Sequence, residues 1–346
     1  MKTTIIVLIL IMFVCPARSG SVVNIYNEQD ELLFQTGLEV GVGDLFLAPD
    51  NRKYQIHKIL GATARAKYVE TVNLDEVFPK EVFERGLLCG AKSDLVRHDK
   101  IGIYHTHNVE SYLPTSGVET KPVGDVLQVG NTIAQWLRDQ GLQVIHAKNN
   151  HAPMDGGAYY RSRRTATEII TAKVDALFDI HRDSPPAEVY AYQLEGLALT
   201  KILLVVGAEN PLMRINEEFA LALKHYADKE YPGLIRGMFY GRSTFNQDLH
   251  PRALLFEVGS VNNALAEAEN GAKLMGQVVT AVLYGTEAGP LQRAERSQTI
   301  RLFTVLVLAA VVILFLADKA RFRWLSWHLA RLAYSIRTWL GSIRRR

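Results

Sequence analysis

The amino-acid sequence predicts an α/β fold in which a mixed or mostly parallel sheet is flanked by helices, with a small β-rich region before it and a transmembrane helix after it. Three observations support this prediction. From residue 100 onwards, short apolar strand patterns alternate with longer helical patterns. Residues 20–75 instead contain short β-branched runs separated by turn residues. Near the C-terminus, an apolar stretch carries no charged side chain.

The composition is typical of a folded globular protein, since 48% of the 346 residues are hydrophobic and 22% are charged. This excludes disorder of the whole chain. The formal net charge of +3 does not indicate a polyanionic partner, because many basic residues lie at the C-terminal end.

We expect the following segments: a signal peptide or N-terminal anchor (1–19), a small β-rich region (20–75), a linker with a short helix (76–99), the main α/β domain (100–286), a stalk (287–300), a transmembrane helix (301–318) and a basic amphipathic cytoplasmic tail (319–346).

The N-terminus has the layout of a secretory signal. A basic start is followed by the apolar run Ile5–Val14 and by small residues suited to cleavage after Ser19. Because this apolar run is short for a membrane-spanning helix, cleavage is favoured over an uncleaved anchor. Cys15 suggests a lipoprotein, but the bulky side chains before it are poorly suited to a lipidation site. The other cysteine is Cys89, so we expect no intramolecular disulfide in the mature protein.

The C-terminal region predicts a membrane anchor. Leu302–Ala317 is apolar except for Thr304. As a helix it would cover about 24 Å, and flanking side chains make up the rest of a hydrocarbon core of about 30 Å. Eight basic residues follow it against the single acid Asp318, which indicates a cytoplasmic tail and places the main domain outside the cell membrane. The apolar stripe of the tail favours a membrane-surface helix over nucleic acid binding.

The β-rich region should form hairpins, and the main domain should alternate strands with helices. Candidate strands of the β-rich region are Val22–Tyr26, Leu32–Phe34, Asp44–Leu47 and Tyr54–Ile56. Candidate strands of the main domain are Ile101–His105, Gln143–His146, Ala176–Ile180, Val189–Tyr192, Ile202–Val206, Gly237–Tyr240 and Ala253–Glu257. One-sided apolar patterns predict helices that begin near Val126 and Leu212, and Asn262-Asn263 predicts the N-cap of a last helix over 264–283.

Polar side chains end or follow three apolar strands of the main domain. They are His105, His107 and Glu110 in the first segment, His181, Arg182 and Asp183 in the second, and Glu257 in the third. In α/β domains, residues from distant parts of the chain gather at the edge of the sheet where strands end. We therefore expect these side chains to lie close together.

A catalytic zinc ion needs three protein ligands of the His and carboxylate type and an open position for water. His107 and Glu110 can supply a nitrogen and an oxygen ligand from one loop, and His181 can supply the third from a neighbouring strand. His105 is a rival ligand, because residues two positions apart point to the same side of an extended strand. Weaker candidates are His146 and His250. The sequence therefore predicts a Zn²⁺ site built from distant segments.

Glu257 ends an otherwise apolar strand, and Gly259 after it permits a tight backbone turn. A carboxylate in such a position needs either a salt-bridge partner or a chemical role. We expect a general base that takes a proton from the attacking water and returns it to the leaving amine. Candidates for binding substrate carboxylates are Arg182, Arg161, Arg163 and Arg164. For the last three, a solvated helix face is an equally good interpretation.

The segments around these strand ends resemble the stage II sporulation protein P family over about residues 95–285. The resemblance is carried by His105-Thr106-His107 with Glu110-Ser111-Tyr112, Tyr160-Arg161-Ser162-Arg163 with Thr165, Asp179-Ile180-His181-Arg182-Asp183, and Glu257-Val258-Gly259 with Asn262-Asn263. It implies a core similar to that of zinc-dependent N-acetylmuramoyl-L-alanine amidases. In those enzymes a metal-binding histidine fills the strand-end position of His107, which leaves His105 a role behind the ligands or in substrate binding.

The resemblance further implies a peptidoglycan hydrolase that cleaves the amide between N-acetylmuramic acid and L-alanine, with room for a second, endopeptidase activity. It also implies a role in sporulation, during engulfment of the forespore, alongside a lytic transglycosylase and a membrane scaffold protein. Two alternatives stay open: a zinc carboxypeptidase that trims stem peptides, and a wall-binding scaffold without activity. An exposed site that binds the substrate carboxylate would favour the carboxypeptidase, whereas an incomplete set of metal ligands would indicate the scaffold. The metal set in this sequence is complete.

Overall fold

The computed structural model describes residues 22–79 and 97–285, together with residues 83, 87 and 331. The chain divides into two compact units, 1–289 and 290–346. The expected signal peptide, stalk and transmembrane helix, and most of the linker and of the tail, lie outside the described residues. Within the described part of the chain, no helix combines the length and the apolar character needed to cross a membrane.

The described residues alternate strands and helices from residue 100 onwards, as the sequence predicts. The strands are β1 (Val23–Tyr26), β2 (Leu32–Thr36), β3 (Leu45–Leu47), β4 (Arg52–Leu60), β5 (Thr63–Thr71), β6 (Lys100–Tyr104), β7 (Gln143–His146), β8 (Ala176–Asp183), β9 (Ala191–Leu194), β10 (Leu197–Thr200), β11 (Ile202–Gly207), β12 (Ile235–Gly241) and β13 (Ala253–Ser260). The helices are α1 (Leu74–Val77), α2 (Leu113–Ser116), α3 (Val126–Asp139), α4 (Ala158–Thr171), α5 (Ala187–Tyr190), α6 (Met213–Glu230) and α7 (Leu265–Tyr284), with a 3-10 helix at Gln247–Leu249.

The large sheet has eleven strands in the order β2-β1-β5-β4-β3-β12-β11-β13-β8-β6-β7, and β9 and β10 form a separate two-stranded sheet. The strands β13, β8, β6 and β7 run parallel to one another. β13 is antiparallel to β11, which is parallel to β12. The prediction of a mixed sheet flanked by helices is therefore confirmed, and its mostly parallel form is not.

The central strands β8, β11, β12 and β13 are buried along their whole length. Burial on both faces favours near-continuous apolar runs, as in β11, at the start of β8 and in the first half of β13, whereas the polar residues of β8 after Phe178 need partners. On one face, Phe178, Ile180 and Phe256 pack with apolar residues of α3, α6 and α7. On the other face, Leu177 packs with residues of α4. Side chains two positions apart share a face of a strand, so Asp179, His181 and Asp183 lie on the same face as Leu177.

The N-terminal strands extend the same sheet. β3 pairs antiparallel with β12, and this places Phe46 opposite Phe239. The ring of Phe34 stacks on Phe46 with 4.1 Å between centroids. Buried residues of these strands and of β11, β12 and β13 form one hydrophobic cluster. The β-rich region and the main domain therefore share a core.

Asp183, the last residue of β8, also joins the two regions. Its carboxylate accepts hydrogen bonds from Thr36 Oγ1 (2.9 Å), the Gly37 backbone N–H (2.7 Å) and the Tyr190 hydroxyl (2.9 Å). Arg236 Nη1 lies 3.6 Å from the same carboxylate. A buried carboxylate is tolerated only with such partners, so the end of β8 depends on residues from the N-terminal strands.

The strands β4 and β5 form a hairpin whose turn comprises residues 61–62. Gly61 has a φ of 61°, a left-handed conformation that glycine adopts without steric cost. On its other edge, β5 pairs in parallel with β1. β5 therefore has a partner on each side, both from residues that precede it in the chain.

Two local predictions are wrong. Val189–Tyr192 was expected as a strand, but α5 occupies its first half and β9 begins at Ala191. Pro186 supplies the helix N-cap position and has no N–H to pair in a sheet. The expected N-cap at 262–263 is also displaced, because the Asn263 side chain accepts a hydrogen bond from Ser260 N–H (2.9 Å). The helix α7 begins after Ala264, whose N–H is bound by Glu267 (3.1 Å).

Candidate metal centre

Three adjacent strands position the predicted ligands. β13, β8 and β6 are neighbours in the sheet. Glu257 of β13 pairs in register with His181 of β8, and side chains in register on parallel neighbours point to the same face. His107 and Glu110 follow β6, which ends at Tyr104. The strand order thus brings residues that are distant in sequence to one edge of the sheet.

The side chains of His107, Glu110 and His181 converge. His107 Nδ1 lies 3.3 Å from Glu110 Oε1, and His181 Nδ1 lies 3.6 Å from Glu110 Oε2. One candidate ligand atom from each residue falls within 4.8 Å of the others. Donors about 2.1 Å from a tetrahedral zinc ion are about 3.4 Å from one another. Both the chemistry and the spacing of this donor set therefore fit Zn²⁺.

Asp179 supports His181 from behind. His181 Nε2 lies 2.9 Å from Asp179 Oδ1, which leaves Nδ1 facing Glu110. Asp179 in turn accepts hydrogen bonds from the backbone N–H of Thr106 (2.8 Å) and from its hydroxyl (2.5 Å). A carboxylate on the second nitrogen fixes the tautomer and the orientation of a metal-binding histidine. The sequence signal for this role is its position two residues before His181, on the same face of an apolar strand.

Arg182 supports Glu110. Its backbone N–H donates a hydrogen bond to Glu110 Oε2 (3.1 Å), and its guanidinium donates to the carbonyls of Ser111 (3.3 Å) and Glu119 (3.1 Å). Burial raises the pKa of Glu110, but the nearby charges of Arg182 and His181 outweigh this effect and lower the pKa overall. Arg182 therefore holds the loop that carries Glu110, and its buried guanidinium is committed to the protein.

Glu257 is the second carboxylate of the site, and only 2% of it is exposed. Its Oε2 atom has no hydrogen-bond partner among the described residues. Burial raises the pKa of Glu257 well above its ordinary value, although the positive charge of His181 opposes the shift. An unpartnered buried carboxylate oxygen is costly. Its position beside His181 fits a group that exchanges a proton with a bound molecule.

His105 does not join the cluster. β6 ends at Tyr104, so His105 and His107 lie beyond the strand. The strand geometry that would point both side chains to the same face therefore does not apply to them. His105 Nδ1 lies 3.0 Å from the carbonyl oxygen of Ile180, and its Nε2 lies 2.8 Å from His146 Nε2. Burial lowers the pKa of His105 to about 4 and that of His146 to about 3. These two imidazoles form a neutral hydrogen-bonded pair, in which His105 is buried and His146 is partly exposed.

His250 is remote from the cluster. Its Nε2 donates a hydrogen bond to the carbonyl of Val174 (3.1 Å), which precedes β8, whereas the metal-ligand candidates lie at the opposite end of that strand. Its Nδ1 accepts the backbone N–H of Arg252 (3.1 Å). His250 therefore has a structural role.

The guanidinium groups of Arg161 and Arg163 have protein partners instead of an open binding position. Arg161 donates to the carbonyls of His151 and Pro153 and to the Asp155 carboxylate. Arg163 forms a bidentate pair with Asp248, with distances of 2.8 and 2.6 Å. Both arginines thus fasten loops near the site. Nothing in the geometry of Arg164 places it at the cluster.

Tyr159 is a site residue that the sequence reasoning missed. Its ring centroid lies 5.5 Å from that of His107 and 6.3 Å from that of His181. Burial raises the pKa of the Tyr159 phenol well above its ordinary value, and the carboxylates of Asp179 and Glu257 add to the shift. The sequence signal was slight, since Tyr159 opens a polar helix and has no motif of its own. It covers the two imidazoles from the side of α4.

The model of the stage II sporulation protein P family matches residues 62–280. Stage II sporulation protein P of Bacillus subtilis (strain 168) is 32% identical over 205 residues, which cover 54% of this chain and 51% of that protein. The chain thus spans about half the length of this curated relative.

Solved amidases have distant similarity to the chain. An N-acetylmuramoyl-L-alanine amidase from Clostridium difficile 630 is 14% identical with a TM-score of 0.35, covering 52% of this chain and 95% of that one. The amidase AmiC2 of Nostoc punctiforme is 14% identical with a TM-score of 0.34, covering 54% and 97%. Scores this low do not assign a function. The family match covers more than half of the chain, and the chain belongs to the stage II sporulation protein P family.

Proposed function

We propose that this protein is a zinc-dependent peptidoglycan hydrolase that cleaves the amide between N-acetylmuramic acid and L-alanine during sporulation. One observation carries the proposal. His107, Glu110 and His181 form a donor set with zinc spacing, and Glu257, whose Oε2 atom has no hydrogen-bond partner among the described residues, lies on the strand beside it. Membership of the stage II sporulation protein P family supports the choice of cell wall as substrate.

The chemistry divides between a metal and the protein. A zinc ion held by His107, Glu110 and His181 would supply Lewis acidity, which polarises a carbonyl group and makes water more acidic. Glu257 takes a proton from the attacking water as the new C–O bond forms at the carbonyl carbon. It then gives that proton to the amine nitrogen of L-alanine as the C–N bond breaks. Burial raises the pKa of the Glu257 carboxyl, which favours its holding the proton between the two transfers.

The arginine contacts favour an amidase over a carboxypeptidase. A carboxypeptidase needs a cationic side chain that is free to bind the C-terminal carboxylate of its substrate. Of the candidate arginines, Arg161, Arg163 and Arg182 all donate to protein oxygens. A scaffold without activity has no need of the complete donor set. Both alternatives are therefore less well supported.

The proposed location is the outer side of the cell membrane. Peptidoglycan is found there, and the predicted signal and C-terminal span would keep the main domain next to it. A lytic transglycosylase and a membrane scaffold protein are the partners that the family resemblance implies. Treatment of intact cells with a protease tests this orientation, because the protease would cut the main domain and spare the cytoplasmic tail.

The decisive experiment combines digestion of purified sacculi with metal analysis. We expect about one zinc ion per chain, and we expect mass spectrometry to find free stem peptides that begin with L-alanine. Release of single C-terminal residues would instead indicate a carboxypeptidase. Sacculi left uncut by folded, zinc-loaded protein would contradict the proposal.

The variant Glu257→Gln should keep the fold and the zinc and lose about 10²–10⁴-fold in kcat, because the amide cannot accept the proton from water. The matched control is Glu168→Gln, which makes the same change on the exposed face of α4 and should leave turnover unchanged. Stem-peptide release by Glu257→Gln at the control's rate would rule out the general-base role.

A further inference from the structure

Tyr159 is placed to do more than cover the two imidazoles. Its ring contacts both His107 and His181, while its hydroxyl makes no hydrogen bond to the described residues. The adjacent Tyr160 points away from the site, because it is 84% exposed to solvent and packs on neither histidine. Tyr159 is therefore the tyrosine of this helix whose ring lies against the candidate ligands and whose hydroxyl has no hydrogen-bond partner among the described residues.

The first turn of α4 is held in place by a strained loop. Asn246 Nδ2 donates hydrogen bonds to the carbonyl of Tyr159 (3.0 Å) and to Ser162 Oγ (3.1 Å). Phe245 packs its ring edge-on against Tyr159, with 5.3 Å between centroids. Phe245 and Asn246 have φ values of 47° and 57°, a region that side-chain-bearing residues seldom adopt. Such strain persists only where the surroundings impose it, and it is common at functional sites.

The same contacts reach the support of the candidate ligand His181. Ser162 Oγ lies 2.8 Å from Thr106 Oγ1, and Thr106 donates to Asp179. Asp179 is the carboxylate behind His181. Hydrogen bonds from Ser162 through Thr106 therefore fix α4 relative to Asp179, whose carboxylate lies 2.9 Å from His181 Nε2. This fixes the position of the Tyr159 ring before any substrate arrives.

Amide hydrolysis needs a donor for the carbonyl oxygen, which becomes negative as water attacks. The arginines near the centre are occupied by protein oxygens, so they do not meet this need. On the basis of the proposed function, we propose that Tyr159 donates a hydrogen bond from its hydroxyl to the scissile carbonyl oxygen as the oxyanion develops. Tyr159 is then a catalytic residue that binds the transition state more strongly than the substrate.

The test is Tyr159→Phe, which removes the hydroxyl and keeps the ring against the imidazoles. We expect kcat on soluble muropeptides to fall about 10²–10³-fold, the typical effect of losing one oxyanion donor, with KM and zinc content unchanged. Tyr160→Phe removes the same atom from the exposed neighbour and should leave kcat at the wild-type value. Equal kcat for Tyr159→Phe and wild type would overturn the proposal.

A binding measurement separates this proposal from the hydrolytic function itself. The probe is a phosphonamidate analogue of the muramoyl-alanine amide, which resembles the tetrahedral transition state. We expect calorimetry to show about 100-fold weaker binding of the analogue to Tyr159→Phe, while Glu257→Gln binds the intact amide equally well with either residue at position 159. If wild type cuts no sacculi, the proposed function fails and analogue binding still decides the role of Tyr159. Unchanged analogue binding would overturn that role even in an active amidase.

Discussion

His181 presents its two ring nitrogens to different partners, Glu110 on one side and Asp179 on the other. A negative charge behind an imidazole makes its opposite nitrogen a better metal ligand. Asp179 also accepts two hydrogen bonds from Thr106, so its own position is fixed. The strength of the metal site should therefore depend on a residue that does not touch the metal.

Replacing Asp179 with asparagine tests this dependence. The amide keeps the shape of the side chain and loses its charge, so we expect zinc affinity to fall about 10–100-fold. Competition with a chromophoric chelator measures the change. The control Asp139→Asn lies on an exposed helix end, where its carboxylate accepts a hydrogen bond from Gln135, and should bind zinc as wild type does. Equal zinc affinity for both variants would contradict the supporting role.

His250 is a buried imidazole whose neutral form is fully hydrogen-bonded. Burial, helped by the positive charge of Arg252, lowers its pKa from the ordinary value of 6.5 to about 4. Between these two values the unfolded chain binds a proton that the folded protein does not. Acid therefore favours unfolding across this range, and the folded protein regains stability as the pH rises towards 6.5.

The variant His250→Gln should remove this pH dependence, because glutamine can donate to Val174 and accept from Arg252 without titrating. We expect the free energy of unfolding of wild type to fall by about 2 kcal/mol more than that of the variant between pH 6.5 and 4.5. Urea unfolding at several pH values measures both curves. Parallel curves would show that His250 does not contribute.

The central site residues could be predicted because each interrupts or follows an apolar strand, where a polar side chain is costly unless it has a partner or a chemical role. His107, Glu110, His181 and Glu257 stand out in this way. Tyr159 could not be predicted, because its contact with the imidazoles depends on how α4 packs on the sheet. The partners of Arg161 and Arg163 could not be predicted either. Asp155 reaches Arg161, and Asp248 reaches Arg163, only in the folded protein.

At the scale of elements, the loop from β6 to α3 carries two of the three candidate ligands and is tightly fastened. Asp125 accepts hydrogen bonds from Tyr112 N–H (3.1 Å) and Ser116 Oγ (2.6 Å). Gly124 N–H donates to the carbonyl of Asn108 (2.9 Å). A methyl group on Gly124 would lie 2.3 Å from the Glu110 carbonyl oxygen. Only glycine lets the two arms of this loop approach so closely.

The variant Gly124→Ala should therefore displace Glu110, since the backbone atoms it meets cannot move aside independently. We expect at least a tenfold loss of zinc affinity and a matching loss of activity. Gly156→Ala is the control, because a methyl group there meets nothing within 4 Å and its φ is not left-handed. Zinc titration of both variants measures the change in affinity. Wild-type zinc affinity in Gly124→Ala would contradict the proposed displacement of Glu110.

Element positions were predicted best where burial dominates the sequence. β11, the start of β8 and the first half of β13 read as apolar runs because both of their faces are covered. The segment at 189–192 has the same β-branched and aromatic composition, but Pro186 and the Tyr190 hydrogen bond to Asp183 direct its start into a short helix. Local composition could not reveal this tertiary contact.

At the scale of the whole molecule, the N-terminal strands and the main domain depend on each other. The pairing of β3 with β12 and the contacts of Asp183 both cross the boundary expected near residue 75. The sequence pattern showed that the N-terminal strands exist. It could not show which strand of the main domain they join, because long-range pairing leaves no local signal in the sequence.

Replacing Asp183 with asparagine should destabilise both regions at once. Arg236 would lose its charged partner while still largely buried between the rings of Phe34 and Tyr190. We expect a loss of about 3 kcal/mol in the free energy of unfolding, within a single transition. The control Asp50→Asn breaks a half-exposed pair with Arg52 and should leave the free energy of unfolding almost unchanged, because solvent screens such a pair. Separate transitions for the two regions would refute the coupling.

The family match begins at residue 62, inside the turn between β4 and β5. A fragment cut at that point would deprive β5 of both neighbours and uncover the side of β12 that β3 occupies. Open backbone edges of this kind recruit other chains. The shortest soluble piece of this protein should therefore start about forty residues earlier than sequence similarity alone suggests, near Val22.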